Sequence, residues 1–424
     1  MRVTRLGEGR PPKPAPPGLR VVLDLRPLQE PGRSPTTAIY LEELLRAFAE
    51  EPLDGESFTV LIQAGLPDPT AALAGLARLP VVGRRPLPPT RLLRSGALTT
   101  DPFVLRSASI GARWGAAAAG AAGVVYHTAS GAVPLASGLP LVVTLLDLAP
   151  WELPHAYQRS AAARFGQRLR ARILRDADAV IVPSEAAGRA ARRLLHLRRD
   201  RIRVIPLAAR PSFMPTAAVG APEERTRLGL PERYLVYPGR YDARHDVTVL
   251  LEALARLVAA GRPSGIAADV PWPPRLVLVD ATPDDRAALA RAAARYGVGE
   301  LLSHAPRLDP ERLASLVAGA RAAILPVVSA TGGLPAIEAI AAGTPVVASA
   351  IGALPEIVGP AGLLVEPRDP ARLAAAIATA WGDDVVHGGL VAAIRDGAAG
   401  TRRSWAEVAR ETRAVYAAVG AAPD

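Results

Sequence analysis

The residues best suited to binding a ligand lie in the loop at positions 329–333, which reads Ser-Ala-Thr-Gly-Gly. A short apolar strand pattern ends before this loop at Leu325, and Pro335 after it stands where a first helical residue is expected. The first N–H groups of a helix have no intrahelical partner, and the helix dipole adds partial positive charge there. The spacing therefore predicts a site for an anion such as phosphate. The alternative is a purely structural turn, because many strand-to-helix connections use glycine.

Composition narrows the chemistry further. The 424 residues include no cysteine, which excludes disulfides and thiolate metal sites, and Lys13 is the only lysine. The absence of Cys and Asn suits a heat-adapted protein, but the scarcity of Lys indicates genomic base-composition pressure instead. The net charge of +10 predicts either an ordinary Arg-rich surface or affinity for anionic headgroups and phosphorylated substrates. Nucleic-acid binding is not expected, because no basic run is interleaved with aromatic residues.

Short apolar runs alternate with helical patterns along the chain, which is typical of βαβ units with parallel sheets. The runs are continuous and not alternating, so they indicate strands buried on both faces. The predicted strands are residues 19–25, 58–63, 123–127, 141–146, 179–182, 202–206, 234–237, 275–279, 301–304, 322–325, 345–348 and 362–365. The predicted helices include residues 36–50, 247–259, 284–296, 310–319 and 404–419. Twelve strands are too many for one compact sheet, so we expect an α/β fold of two Rossmann-like, doubly wound domains.

A Pro-, Ala- and Gly-rich segment at 207–223 has no clear periodicity and predicts a linker between the domains. We therefore expect a disordered Pro-rich leader at 1–18, a first domain at 19–208, a second at 209–400 and a helical segment at 401–424. The leader has no apolar core of the kind a secretory signal needs. Uninterrupted apolar stretches are also too short to span a membrane. The expected location is the cytoplasm, with peripheral contact at the inner face of the membrane as a further option, although no amphipathic anchor stands out.

Residues 324–367 carry a recognisable pattern: Pro326, then Gly-Leu-Pro at 333–335, Glu338-Ala, Gly343, Pro345-Val-Val and Ser349, followed by Leu-Pro-Glu-Ile-Val at 354–358. This pattern resembles the signature of retaining GT-B glycosyltransferases of the group 1, or family 4, type. The resemblance is specific in the second half of the chain and looser in the first. It implies two facing Rossmann-like domains and a closing helix that crosses back onto the first domain.

The resemblance also implies the residues of a donor site. In such enzymes an Arg and a Lys after the first strand of the second domain hold the diphosphate of a nucleotide sugar. Arg240, preceded by Gly239, matches the Arg, whereas His245 stands at the Lys position with Arg244 beside it. Backbone amides at 332–334, which are Gly332, Gly333 and Leu334, are expected to assist. Glu338 matches the glutamate that binds the ribose hydroxyls.

The sequence departs from the family pattern at the sugar-facing positions. The first glutamate of the paired motif is Ala330, and a common His-Asp pair reads Leu146-Asp147. Asp147 is retained as a catalytic or acceptor-side candidate, next to His127 and His155. A lone histidine after a strand is more often structural, so both interpretations of these two stay open.

The resemblance implies a retaining transfer from a nucleotide diphosphate sugar to a glycan or lipid-linked acceptor, with no metal or other cofactor. Arg240, His245 and Asp147 would be its catalytic residues. Similarity around residues 142–154 to bacterial mannosyltransferases suggests GDP-mannose as donor. Two alternatives remain: a catalytically degenerate binding or regulatory subunit, motivated by Ala330 and Leu146, and another GT-B enzyme such as an epimerase or a phosphorylase.

Overall fold

The computed structural model describes residues 20–72, 79, 81–87, 124–129, 139–397 and 403–420. They form two α/β domains, each built around one parallel sheet, and this confirms the predicted fold class. The predicted leader at 1–18 lies outside the described residues. None of the helices in the described ranges is both long and apolar enough to cross a bilayer.

The first domain contains a seven-stranded sheet in the order β3-β2-β1-β4-β5-β6-β7. Its strands are β1 (Arg20–Asp24), β2 (Ser57–Gln63), β3 (Val81–Leu87), β4 (Val124–Ala129), β5 (Leu141–Thr144), β6 (Ala179–Val182) and β7 (Ile202–Val204). Its helices are α1 (Arg26–Gln29), α2 (Pro35–Glu50), α3 (Pro69–Ala72), α4 (Ala149–Glu152), α5 (Pro154–Tyr157), α6 (Ala161–Asp176) and α7 (Glu185–Leu195). Neighbouring strands pair in parallel, so their carboxyl ends share one edge of the sheet.

The second domain contains a six-stranded sheet in the order β10-β9-β8-β11-β12-β13. Its strands are β8 (Leu235–Tyr237), β9 (Leu276–Val279), β10 (Leu302–Ala305), β11 (Ala322–Leu325), β12 (Val346–Ser349) and β13 (Gly362–Val365). Its helices are α8 (Ala221–Arg227), α9 (Val247–Ala260), α10 (Pro283–Tyr296), α11 (Pro310–Ala318), α12 (Leu334–Ala341), α13 (Leu354–Val358), α14 (Pro370–Gly382) and α15 (Asp384–Arg395). Strands β8, β9, β11 and β12 are buried along their whole length, which explains their continuous apolar sequences.

The edge strand β3 was not predicted, although the other twelve strands lie where the apolar runs placed them. Its sequence, VVGRRPL, contains a glycine, two arginines and a proline. Charged residues and proline are typical of an edge strand, which pairs on one side only. The apolar pattern that marks the central strands is therefore missing here.

The segment predicted as a featureless linker is partly ordered. A 3-10 turn at Pro215–Gly220 leads into α8, and Leu207, Ala208 and Phe213 are buried. These side chains pack into the apolar cores of the two domains, so the connection is held by packing on both sides.

The last described helix, α16 (Trp405–Gly420), packs against the first domain, as the family resemblance implies. Trp405, Val408 and Tyr416 join the core formed by β1, β2 and α2. Arg413 makes a buried ion pair of 2.8 Å with Glu56, whose two oxygens receive three guanidinium hydrogen bonds.

Candidate functional site

The loop after β8 lies at the carboxyl end of a central strand, where open α/β sheets bind ligands. Arg240 is half-buried there, and Gly239 precedes it. A Cβ atom on Gly239 would lie 2.8 Å from the Tyr237 ring, so only glycine fits beside that ring. The Tyr237 hydroxyl donates to the Arg240 carbonyl and fixes the turn. Burial lowers the pKa of the Arg240 guanidinium, but it keeps its charge at neutral pH.

Asp242 binds Arg244 and His245, the two other residues of this loop that the sequence predicted as donor ligands. Its carboxylate accepts from the backbone N–H of Arg244 at 3.0 Å and from its Nε at 3.1 Å. The Nδ1 atom of His245 lies 2.9 Å from the same carboxylate. Burial opposes ionisation of Asp242, yet the bonds from His245 and Arg244 outweigh it and hold its pKa well below the usual range. Asp242 therefore stays ionised and fixes the orientation of both neighbours.

The second loop follows β11 and opens into α12, as the glycine pattern predicts. Gly333 is the N-cap residue with a φ of 58°, so Leu334 is the first helical residue and Pro335 the second. A Cβ atom on Gly333 would lie 2.4 Å from Ile357 Cδ1. The positive φ and this close approach both require glycine. Pro335 has no N–H, and the Ala336 N–H donates to the Gly333 carbonyl at 2.9 Å, so Leu334 carries the N–H of the first turn that the helix leaves unpaired.

The two loops enclose a cavity of about 110 Å3 between the domains. The second domain contributes Gly239, Arg240, Arg244, His245 and the loop from Ser329 to Pro335, and the first domain contributes Thr36, Leu146 and Asp147. The structure thus brings together two guanidinium groups, an imidazole, a helix N-terminus and one carboxylate. A cavity of this size is smaller than the ~300–1,000 Å3 of typical ligand sites.

Two contacts across the cleft hold the cationic residues against the first domain. Arg244 Nη1 lies 3.2 Å from Asp147 Oδ2, and Arg240 Nη2 donates to the Gly32 carbonyl at 3.1 Å. Burial opposes the charge on Arg244, but Asp242 and Asp147 raise its pKa above the usual value. Asp147 therefore lies against the Arg244 guanidinium and orients it.

The positions that depart from the family pattern also contact the first domain. Thr331 Oγ1 accepts from the Leu148 backbone N–H at 2.9 Å, and the Thr331 carbonyl accepts from the Ser184 hydroxyl at 3.1 Å. Ser329 donates to Glu152 at 2.5 Å. Ala330 lies between these two anchors and offers only a methyl group. The two residues that flank Ala330 are therefore held by the opposing domain.

Glu356 makes a further contact between the domains. Its carboxylate accepts from the backbone N–H groups of Glu185 at 3.0 Å and Ala186 at 2.7 Å, both in the first turn of α7. Arg189 adds a bond of 2.9 Å. A carboxylate at a helix N-terminus satisfies unpaired donors and interacts favourably with the dipole. Glu356 thus caps a helix of the other domain.

Glu338, the predicted ribose ligand, does not line the cavity. It is buried, and Arg210 from the interdomain segment binds it at 2.5 and 3.0 Å. Burial raises the pKa of Glu338, and the Arg210 guanidinium opposes that shift. The structure therefore separates Glu338 from Arg240, Arg244 and His245.

The two acceptor-side histidines also lie away from the cavity. His127 is 1% exposed, and its Nδ1 and Nε2 atoms lie 2.6 Å from the Tyr416 hydroxyl and 2.8 Å from the Thr144 hydroxyl. Burial lowers the pKa of His127 to about 3, so the ring is neutral. His155 is exposed on α5. The geometry favours the structural interpretation for His127.

Sequence reasoning missed Asp242 and the partners across the cleft. Asp242 had a usable signal, because a carboxylate two and three residues before an Arg and a His can reach both. Glu356 belongs to the pattern at 354–358, but the pattern does not give its partner. Glu152 and Ser184 had no signal, since their partners are 147 or more residues away in the chain.

Two family models match the chain. Residues 232–383 match the model described as glycosyl transferases group 1, and residues 36–208 match the glycosyl transferase 4-like domain. Together they cover more than half of the chain, and each corresponds to one of the two sheets.

Individual proteins agree with this assignment. The chain is 28% identical over 260 residues to a D-inositol 3-phosphate glycosyltransferase of Acidothermus cellulolyticus, an alignment that covers 57% of this chain and 54% of the relative. The chain therefore spans about half the length of that curated relative. Among solved structures, sucrose-phosphate synthase from Thermosynechococcus elongatus matches with a TM-score of 0.69 and 22% identity, over 94% of this chain and 98% of that one. Anabaena HepE in complex with UDP and glucose matches with a TM-score of 0.67 and 18% identity, over 93% and 98%. At these identities the structural matches establish the fold.

Proposed function

We propose that this chain, whose two domains match glycosyltransferase family models, transfers a sugar from a nucleoside diphosphate sugar to an acceptor with retention at the anomeric carbon. The observation that carries the proposal is the convergence of Arg240, Arg244 and His245 on the N-terminus of α12 in one interdomain cavity. These groups are suited to a diphosphate, whose charge grows as the sugar leaves.

Each group has a distinct part in this proposal. The guanidinium groups of Arg240 and Arg244 bind phosphate oxygens through charge-assisted hydrogen bonds. His245 adds a donor whose orientation Asp242 fixes, and Asp147 positions Arg244 from the opposite domain. The amides of α12 and its dipole neutralise the leaving diphosphate. Among the described residues, no group of three or more His, Asp or Glu side chains is placed to hold a metal ion.

Glu338 remains a prediction as the ribose ligand. Its carboxylate is bound by Arg210 in this structure, so the role requires Arg210 to move or to share the carboxylate. The cavity is also too small for a whole nucleotide sugar, so the domains must part to admit the donor.

Two observations bear on the identity of the sugar donor, and they favour different nucleotides. HepE is described with UDP and glucose, which makes UDP-glucose the first donor to test. The sequence similarity around residues 142–154 makes GDP-mannose the second. The acceptor is proposed to be a glycan or a lipid-linked sugar. Phosphorylated polyols and sugars belong in the same panel because related proteins carry such names.

The test is donor binding by calorimetry, followed by nucleotide release with each donor in the presence and absence of acceptors. Saturable binding of one nucleotide sugar and acceptor-dependent release of its nucleotide are the expected results. Mass and NMR analysis of the product would give the anomeric configuration. If none of the donors in the panel binds, the proposal is refuted.

A second candidate function rests on Ala330. A methyl group cannot replace the carboxylate that the family places near the reacting centre, and the flanking Ser329 and Thr331 bind the first domain. A binding or regulatory subunit would keep the nucleotide sugar without turning it over. Donor binding without nucleotide release across the acceptor panel would favour this candidate, and turnover would exclude it.

A further inference from the structure

Helix α6 carries four exposed arginines, which are Arg164, Arg168, Arg172 and Arg175. An α-helix turns by about 100° per residue, so these four side chains fall within an arc of about 80°. Phe165 lies at the edge of the same arc and is 63% exposed. We call this surface the α6 arginine face.

The opposite side of α6 fixes the helix to the first domain. Ile173 and Leu174 are buried in the core beneath it. The Arg170 guanidinium lies over the Trp151 ring, 5.1 Å from its centroid. Ser160 caps the helix by accepting from the Ala163 N–H at 3.1 Å. The arginine face is therefore presented outward by a well-anchored helix.

None of the arginines of this face takes part in a helical ion pair. On three other helices, by contrast, Arg46, Arg227 and Arg256 each pair with a glutamate four residues away. Within the described part of the chain, none of the four α6 arginines lies within 4 Å of a carboxylate. Arg164 makes a hydrogen bond of 3.4 Å to the Gln158 carbonyl. Asp176, four residues after Arg172, is the one acidic residue of this helix, so the helix carries a clear excess of positive charge.

We propose that the α6 arginine face docks on an anionic phospholipid bilayer. A stripe of arginines attracts acidic headgroups, and an adjacent exposed aromatic ring enters the boundary between headgroups and acyl chains. From Arg164 to Arg175 the face is about 17 Å long, at about 1.5 Å per residue, and can contact several headgroups at once. One phenylalanine on a convex helix offers little for stacking on successive bases, so the face suits a membrane better than a nucleic acid.

The position of α6 gives this docking a consequence for the cleft. The chain passes from Asp147 through α4 and α5 directly into α6. Glu152 at the end of α4 contacts the loop of Ser329, so a bilayer under α6 lies close to the cleft. The docking inference itself does not depend on the proposed transfer reaction.

The test is sedimentation of the full chain with vesicles of phosphatidylcholine alone or mixed with phosphatidylglycerol. We expect binding only to the mixed vesicles, and weaker binding at high salt. Each arginine near an anionic surface contributes about fivefold to binding, so Arg168→Gln with Arg172→Gln should weaken it about 25-fold. Phe165→Ser should weaken the binding that remains at high salt.

The matched control removes two exposed arginines from a helix of the other domain, as Arg291→Gln with Arg295→Gln on α10. This variant has the same net charge and should bind within about twofold of the wild type, because these residues lie outside the docking face. Equal loss of binding in both double variants would overturn the proposal, and so would failure of the wild type to bind mixed vesicles. Tighter binding to single-stranded RNA than to vesicles, abolished by the α6 variant alone, would assign the face to nucleic acid instead.

Discussion

Replacing Arg240 by alanine tests the donor site most directly. The side chain is half-buried in the cavity wall, and its only hydrogen bond recorded within the described residues goes to the Gly32 carbonyl at 3.1 Å. The replacement therefore removes one guanidinium from the phosphate site and one neutral contact between the domains. Neither Asp242 nor Asp147 loses a hydrogen-bond partner.

The magnitude follows from the chemistry of these two bonds. A hydrogen bond from a charged group to phosphate contributes about 1.5–3 kcal/mol, so the dissociation constant of the nucleotide should rise about 10- to 150-fold. The lost bond to Gly32 contributes about 1 kcal/mol to stability. Arg240→Lys keeps the charge but loses the planar fork, and its affinity should fall between those of the wild type and Arg240→Ala.

The assay is calorimetry with UDP and UDP-glucose, repeated with GDP and GDP-mannose. The control is Arg256→Ala, which removes an exposed arginine of the second domain that pairs with Glu252. It should leave nucleotide affinity unchanged. An Arg240→Ala protein that binds the nucleotide as tightly as the control would refute the assignment of Arg240 to the diphosphate. An equal loss of affinity in both variants would show that the lost net charge, and not a contact of Arg240 with the diphosphate, causes the effect.

Three further predictions concern buried ionisable groups. The pKa of His127 falls to about 3 in the folded chain, so its stabilising effect is present above pH ~6.5 and is lost as the pH falls toward 3. Urea unfolding at pH 7 and pH 4.5 should therefore show a smaller acid loss for His127→Gln than for the wild type; equal losses would contradict this. Burial raises the pKa of Glu43 to about 6, so ionisation of Glu43 lowers the free energy of unfolding by about 2 kcal/mol as the pH rises above 6. Glu43→Gln should gain stability relative to the wild type at pH 8 and not at pH 4.5, and a pH-independent difference would refute the argument. Arg210→Met leaves Glu338 buried without its partner and should lower the free energy of unfolding by about 3–5 kcal/mol. The double variant with Glu338→Met should recover most of that loss, whereas additive losses would exclude coupling.

Much of the fold was predictable because buried parallel strands leave a plain signal. Continuous apolar runs located twelve strands, including β8 and β11, which support the site. The edge strand β3 escaped because its arginines and proline suit a strand with one free side. The order within the linker escaped because Phe213 and its neighbours are held by the two domains and not by a local periodicity.

The candidate site was predictable only in part, for a similar reason. The turn at Gly333 into α12 follows from local chain geometry, and Arg240, Arg244 and His245, which line the cavity, were carried over by motif. The contacts that fix these residues join distant parts of the sequence, such as Arg244 with Asp147. Glu338 shows the limit of a motif, because its ion pair with Arg210 depends on packing between the domains.

The helix α16 has a consequence for the order in which the protein can be made. Its residues Trp405, Arg413 and Tyr416 complete the apolar and polar interior of the first domain, yet the entire second domain separates them from β7. During synthesis this flank of the first domain therefore stays uncovered until the ribosome has produced the second domain and α16. A fragment ending at residue 208 would expose Phe48 and His127 to water. Fusing α16 to that fragment through a flexible linker should restore a closed core.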